Sequence, residues 1–165
     1  MVFERKIASL IFLAIVAMSF LGVSSGCKKQ APANPVPVIS LVDLKIQGDS
    51  SKVILYFKDG DGDIGLSQSD TAGEFRYNCF VDIYHKVSGK WVKQDFFIPY
   101  YYRIPILKKA QKEKPLEGEM HINLLDFPPD LGTPDPDTLK ISVYIKDRAL
   151  NKSNEVESDL FTTSF

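Results

Sequence analysis

The sequence predicts an all-β protein, an antiparallel immunoglobulin-like β-sandwich of about seven strands. Short segments of strand length, apolar or alternating, follow one another from Val36 onward, and turn signals separate them at modest intervals. The 11 Phe and 7 Tyr residues favour a packed β core, and no long amphipathic helical pattern interrupts the strand signals. A small closed β-barrel is the structural alternative, because a strand count from one sequence is easily off by one.

Each strand is predicted from its own pattern. In the second strand, KVILYF, the side chains of Val53, Leu55 and Phe57 alternate onto one face. The Ser-Gly pair at 88–89 predicts a hairpin turn. Two prolines make the aromatic segment an edge or irregular strand, because proline lacks the N–H that a central strand donates. In chain order the segments are PVISLVDLKI, KVILYF, FRYNCFVDIYHKV, KWVKQDFFI, PYYYRIPIL, GEMHINLL, TLKISVYIK and EVESDLFTTSF.

The N-terminal residues 1–26 are predicted to be a signal peptide and not part of the fold. Arg5 and Lys6 give a positive start, the apolar run IASLIFLAIVAMSFLG follows, and small residues precede Cys27. A membrane-spanning helix needs about 20 apolar residues, and this run is shorter. The stretch VSSGC resembles the lipobox of bacterial lipoproteins, with Ser24 in the place where leucine is usual.

This resemblance implies that Cys27 is the lipidated first residue of the mature chain. Lys28, in the second position, implies sorting to the outer membrane, with the domain facing the periplasm or the cell surface. Residues 27–37 then form a proline-rich tether, and residues 38–165 form the sandwich. Acyl chains gain about 0.8 kcal/mol per buried methylene, so the lipid would anchor the protein to the membrane.

Charge and cysteine content exclude two further classes of protein. The chain has 20 basic and 21 acidic residues and a formal net charge of −1, which gives no support for nucleic-acid binding. It has 2 cysteines, and lipidation of Cys27 leaves Cys79 without a partner. A disulfide framework is therefore excluded, and Cys79 is expected to be a small buried hydrophobe between apolar neighbours.

The stretch KDGDGDIG, at the end of the second predicted strand, has three aspartates spaced two apart. Asp59, Asp61 and Asp63 could present carboxylates to one Ca²⁺ ion, because this hard cation takes roughly six to eight oxygen ligands. An EF-hand is excluded, since Ile64 stands where that loop requires glycine and a strand precedes it. A metal-free acidic turn, with side chains capping backbone amides, is the simpler alternative.

Strand order connects this stretch to a second polar loop. In immunoglobulin order KVILYF is the second strand and LKISVYIK the sixth, and the loops after these two strands emerge at the same end. The acidic stretch and DRALNKSN are therefore predicted to be neighbours. Asp147, with the amide oxygens of Asn151 or Asn154, would then complete the calcium site.

The two loop motifs and their order also carry a resemblance. A strand that ends in FKDGDGDIG, followed later in the chain by YIKDRALNKSN, resembles small lipoproteins of the Bacteroidota with an immunoglobulin-like domain. The resemblance covers the signal, the two motifs and their order. It implies a fold and a compartment, and no activity.

The sequence offers little for catalysis, so we expect a protein that is not an enzyme. His85 and His121 each stand alone in a strand pattern. The chain contains no nucleophile elbow, no His-Cys cluster with ligand spacing and no Gly-rich phosphate loop. A hydrolase would need a cleft that brings one of these histidines next to a carboxylate and a hydroxyl.

The aromatic run DFFIPYYYRIP, together with the nearby Trp91, is the remaining candidate for ligand binding. Trp91, Tyr100, Tyr101 and Tyr102 could form a binding face, because aromatic side chains are enriched at interfaces. Strand alternation would instead place about half of the aromatic residues in the core.

Together these features predict a lipid-anchored cell-envelope protein that acts as a non-catalytic binding or structural module, with Ca²⁺ as the candidate cofactor if the acidic stretch binds a metal. Its membrane contact is the lipid, and the sequence does not specify its protein or glycan partner. The alternative is an accessory glycan- or peptide-binding lipoprotein of a nutrient-uptake system.

Overall fold

The computed structural model describes residues 34–47, 51–107, 114–132 and 138–162. The predicted signal peptide, Cys27 and the tether up to residue 33 lie outside these ranges. A turn of 3₁₀ helix covers Gly73–Phe75, and no helix of the described ranges is long and apolar enough to cross a membrane. The strands are β1 (Val38–Lys45), β2 (Lys52–Asp59), β3 (Cys79–Val87), β4 (Lys90–Lys93), β5 (Tyr101–Tyr102), β6 (Leu116–Asn123), β7 (Thr138–Ile145), β8 (Val156–Glu157) and β9 (Phe161–Thr162).

The strands form two antiparallel sheets. The first sheet has the order β1-β2-β6, and the second has the order β4-β3-β7-β8, with β5 paired to β3 and β9 paired to β7. One hydrophobic core joins residues from both sheets, so the predicted immunoglobulin-like sandwich is confirmed. The alternative of a closed barrel is wrong, because within the described residues β1 and β6 are the two edges of an open three-stranded sheet.

Strand alternation determines which side chains enter the core. Val53, Leu55 and Phe57 of β2 face inward and are buried, as their spacing predicts. The predicted burial of Cys79 is confirmed, and burial raises the pKa of its thiol to about 12. The inward residues of β3 and β7 are Cys79, Val81, Ile83, Leu139, Ile141, Val143 and Ile145.

The last predicted strand is split into β8 and β9, so the eight predicted segments become nine strands in the described residues. Between them, Ser158 donates its N–H to the Ile141 carbonyl at 3.0 Å and accepts the Ile141 N–H on its hydroxyl at 3.1 Å. Ser153, ahead of β8, makes the same pair of bonds with Ile145, both at 3.0 Å. A hydroxyl thus replaces a backbone carbonyl as the acceptor, which interrupts regular pairing along β7.

Several predicted strand segments are shorter in the structure, and KWVKQDFFI retains only β4 (Lys90–Lys93). β3 begins at Cys79 because the chain just before it forms the 3₁₀ turn. β5 has two residues, and the prolines on either side account for its shortness. The predicted hairpin turn at 88–89 is confirmed, since Ser88 has a φ of 50° and Gly89 a φ of 81°, the positive values that a tight turn between twisted strands requires.

Candidate metal centre

The acidic loop, residues 59–65, begins on the buried face of β2. Asp59 continues the inward alternation of Val53, Leu55 and Phe57, so the strand itself directs this carboxylate toward the interior. The chain then turns back, with positive φ at Gly62 (69°) and at Gly65 (101°).

The return of the loop is fixed by Ile64. This side chain is fully buried in the hydrophobic core. Its backbone N–H donates a 2.7 Å hydrogen bond to Oδ2 of Asp59. The apolar side chain thus anchors the loop, and the three carboxylates are held on one side of this anchor.

Three carboxylates converge in this loop. One carboxylate oxygen from each of Asp59, Asp61 and Asp63 lies within 4.8 Å of the other two. The Oδ1 atom of each is buried and accepts no hydrogen bond from the described residues. Asp59 as a whole is 1% exposed, so solvent does not compensate its charge. Buried acceptors are normally hydrogen-bonded, which makes this three-carboxylate cluster an exception that calls for a cation.

The electrostatics of the cluster point the same way. Burial raises the pKa of Asp59 to about 6, the nearby Asp61 and Asp63 carboxylates add to this rise, and the Ile64 N–H opposes it. The pKa of Asp63 is also raised, first by burial and then by the charges of Asp147 and Asp61, while Arg148 lowers it. A bound cation would remove the repulsion that these directions express.

The 147–154 loop lies beside the acidic loop, as the strand order predicts. Arg148 Nη1 donates a 3.2 Å hydrogen bond to the Gly65 carbonyl, which joins the two loops directly. The charge of Asp147 acts on Asp63 across the same contact region. The end of the sandwich therefore assembles acidic groups from loops that are far apart in the chain.

Asp147 and Asn151 support the site from outside the three-carboxylate cluster. Both oxygens of the buried Asp147 carboxylate are engaged by Asn151, since Oδ1 accepts its N–H and Oδ2 accepts its Nδ2, each at 2.8 Å. This pair closes the 147–154 loop on itself. Asn154, the other predicted amide, instead binds the backbone of Ile39 in β1 through both ends of its side chain, each at 2.8 Å.

The donor set of the cluster is made of hard oxygen ligands. Carboxylate oxygens suit Ca²⁺, Mg²⁺ or Mn²⁺, and Ca²⁺ tolerates the irregular geometry of a loop best. Asp59, Asp61 and Asp63 would supply three ligands, and water or backbone carbonyls would supply the rest. The chemistry available to such an ion is neutralisation of buried charge and cross-linking of the loop.

The four aromatic candidates for ligand binding divide between the two faces of the larger sheet. Tyr100 and Tyr102 pack against the core, and the Tyr100 hydroxyl donates to the Asp126 carbonyl at 2.6 Å. Tyr101 lies on the outer face, with its ring 5.0 Å from that of Phe80 in an edge-on arrangement. Trp91 lies among lysines, the nearest being Lys140 with Nζ 5.1 Å from the ring centroid. The prediction that alternation buries part of this run is confirmed.

The outer face also carries aromatic residues that the sequence did not single out. Phe80 and Tyr144 stack at 4.6 Å, because β3 and β7 pair them directly. Lys152 Nζ lies 3.9 Å from the Tyr144 ring centroid and is also paired with Glu155 at 3.2 Å. Period-two alternation in both strands was the available signal, although it becomes informative only once the register is known.

The two histidines lie on different sheets. His85 belongs to β3, while His121 belongs to β6 and lies 3.5 Å from the Glu119 carboxylate. His121 and Glu119 line a cavity of about 350 Å³ that also reaches Tyr102 and Cys79. Burial raises the pKa of Tyr102 and of Cys79 to about 12 each, so neither is ionised at neutral pH.

No protein-family model, no curated protein and no solved structure matches this chain.

Proposed function

We propose that the protein is a lipid-anchored, non-catalytic module of the cell envelope whose β-sandwich binds calcium at one end. The observation that carries the calcium site is the buried, unpartnered Oδ1 of Asp59 facing Asp61 and Asp63. The lipid anchor is supported by the signal-like N-terminus and by the resemblance of VSSGC to a lipobox.

The physical case for calcium is one of charge compensation. An ionised carboxylate that leaves water without a partner destabilises the fold by several kcal/mol at the order-of-magnitude level. Asp59 has one backbone N–H as compensation, and two further carboxylates repel it. A divalent cation within the three-carboxylate cluster offsets this repulsion, and it stabilises the folded chain because the unfolded chain has no such site.

Calorimetric titration tests the calcium site. The detergent-solubilised full chain, first treated with chelator, should bind one calcium ion and should show a higher Tm in millimolar calcium. Asp61→Asn should abolish both effects. Asp70→Asn is the matched control, because Asp70 lies outside the cluster and its contact with the Ser67 N–H can be kept by an amide oxygen. A wild-type chain that gives no heat and no rise in Tm would exclude the site.

Fractionation of cells tests the anchor. The wild-type protein should appear in the outer-membrane fraction with acyl groups on Cys27, and Cys27→Ser should not be acylated. Recovery of wild-type protein with an unmodified Cys27 would contradict the anchor and would leave the calcium site unaffected.

A second candidate function is an accessory glycan- or peptide-binding module. Phe97 is 101% exposed and Ile98 is 78% exposed, and both lie in the segment between β4 and β5, shortly before Tyr101. Exposed apolar side chains next to aromatic rings suit a docking surface. Titration with oligosaccharides or extended peptides separates this candidate from a structural module. Phe97→Ser is the test variant, and Val87→Ser is the control, because Val87 is also an exposed apolar residue.

A further inference from the structure

The end of the predicted tether, residues 34–36, lies across the acidic loop. Gly60, between two aspartates of the three-carboxylate cluster, is in direct contact with the backbone of Asn34. A Cβ atom at position 60 would overlap the Asn34 carbonyl oxygen and would lie 2.8 Å from its carbonyl carbon and 2.9 Å from its nitrogen. No side chain fits between these two stretches of backbone.

The contact with Asn34, and not backbone conformation, explains why residue 60 is glycine. Gly62 and Gly65 have positive φ, which favours glycine on conformational grounds. Gly60 is not among the described residues with positive φ, so alanine could adopt its backbone conformation without strain. Substitution of Gly60 by alanine is therefore a selective way to remove the contact.

Among the described residues, the hydrogen bonding of this segment's first residues is local. Asn34 fixes its own turn, since its Oδ1 accepts the Val36 N–H at 3.1 Å. Val36 is 37% exposed and Val38 is 49% exposed, and both line a cavity of about 340 Å³ next to Gly60. Firm attachment begins at Pro37, which is buried, and at Val38, which pairs with Lys58 of β2, and Asn154 then holds Ile39. Docking of residues 34–36 thus depends on the shape of the acidic loop beneath them.

We propose that occupancy of the acidic loop by a divalent cation controls the docking of residues 34–36, and so how firmly this end of the predicted tether is held against the sandwich. The cation draws the three carboxylates together and holds the backbone on which Asn34 lies. Without the cation, repulsion among the carboxylates loosens this backbone, and residues 34–36 undock. The inference rests on the proposed calcium site, because it needs the ion that this site would bind.

Thermodynamic linkage makes the inference quantitative. If calcium favours the docked state by some factor, then docking raises calcium affinity by the same factor. Coupling between sites is commonly about 5- to 150-fold, and we expect a value near tenfold here. Gly60→Ala should therefore lower calcium affinity by about the factor by which calcium slows hydrogen exchange in the wild-type segment.

Hydrogen exchange measured by mass spectrometry tests this inference on the detergent-solubilised full chain. Calcium should slow exchange of the Val36 amide about tenfold relative to chelator, and peptides from β3 and β7 should change less. In Gly60→Ala the slowing should disappear and the calcium affinity should fall. Gly118→Ala is the matched control, since its added Cβ would meet only the Phe57 ring at 3.8 Å, and it should behave as wild type.

The outcomes separate this inference from the proposed calcium site. If calorimetry shows calcium binding but hydrogen exchange at Val36 does not change, the inference is wrong and the calcium site stands. A Gly60→Ala chain that keeps both wild-type affinity and wild-type slowing also overturns it. If calorimetry shows no calcium binding by the wild type, both the calcium site and the inference are wrong.

Discussion

Asp59→Asn is expected to stabilise the metal-free protein and to destabilise the protein in calcium. The native carboxylate is buried, and its Oδ1 faces two other carboxylates. Asparagine removes the charge and keeps an oxygen that can accept the Ile64 N–H, which now donates to Asp59 at 2.7 Å. A residue that is unfavourable for the fold alone and favourable with an ion is the expected signature of a ligand.

The magnitude follows from the electrostatics of Asp59. Its pKa is raised from 3.8 to about 6, and one pKa unit corresponds to about 1.36 kcal/mol, so the ionised form disfavours the metal-free fold by about 3 kcal/mol at neutral pH. Asparagine still buries a polar group, so we expect a net gain of about 2 kcal/mol in the free energy of unfolding. For a domain of this size that is roughly 8 °C in Tm.

Urea denaturation measures the stability of both proteins with and without calcium. Unfolding can be followed by the fluorescence of Trp91, since the chain has 1 tryptophan. In chelator, Asp59→Asn should unfold at higher urea than wild type, and in millimolar calcium the order should reverse. Asp70→Asn should follow wild type in both buffers. Lower stability of Asp59→Asn in chelator would refute the reasoning, because Asp59 would then be a structural residue and not a strained ligand.

Three further predictions concern the pH dependence of stability, the hydrogen bonds between Asn154 and Ile39, and the buried thiol of Cys79. In chelator, the free energy of unfolding of wild type, relative to that of Asp59→Asn, should fall as the pH rises from about 4 to about 6. The reason is that folded Asp59, with its raised pKa of about 6, holds a proton that the unfolded chain has released in this range. A difference between the two proteins that does not change with pH would contradict this. Asn154→Ala should lower the free energy of unfolding by about 1–2 kcal/mol, because the Ile39 N–H and carbonyl each lose a 2.8 Å hydrogen bond. An unchanged midpoint of urea unfolding would count against this prediction. Cys79, whose thiol has a pKa of about 12, should resist iodoacetamide in the native protein and react in urea, and native-state labelling would show that the core is open.

The fold was predictable because its information is local. Alternation in β2 predicts the inward positions of Val53, Leu55 and Phe57, and the same period extends to Asp59. In the immunoglobulin order inferred from the sequence, the loops that follow KVILYF (β2) and LKISVYIK (β7) lie at one end of the sandwich, so the meeting of the acidic loop with the 147–154 loop was also predictable.

The details of the site were not predictable, because they depend on three-dimensional placement. Asp147 has the charge of a ligand, yet its two oxygens are taken by Asn151, which no spacing rule indicates. Asn154 is likewise engaged by a strand that lies more than a hundred residues earlier in the chain. The contact between Asn34 and Gly60 involves backbone alone and leaves no side-chain signal apart from the glycine itself.

A crystal structure of the protein grown in calcium, with an anomalous difference map, tests the central claim most directly. The calcium site predicts a single peak about 2.3–2.6 Å from carboxylate oxygens of Asp59, Asp61 and Asp63. A map without a peak there, with the three carboxylates turned apart toward solvent, would contradict it.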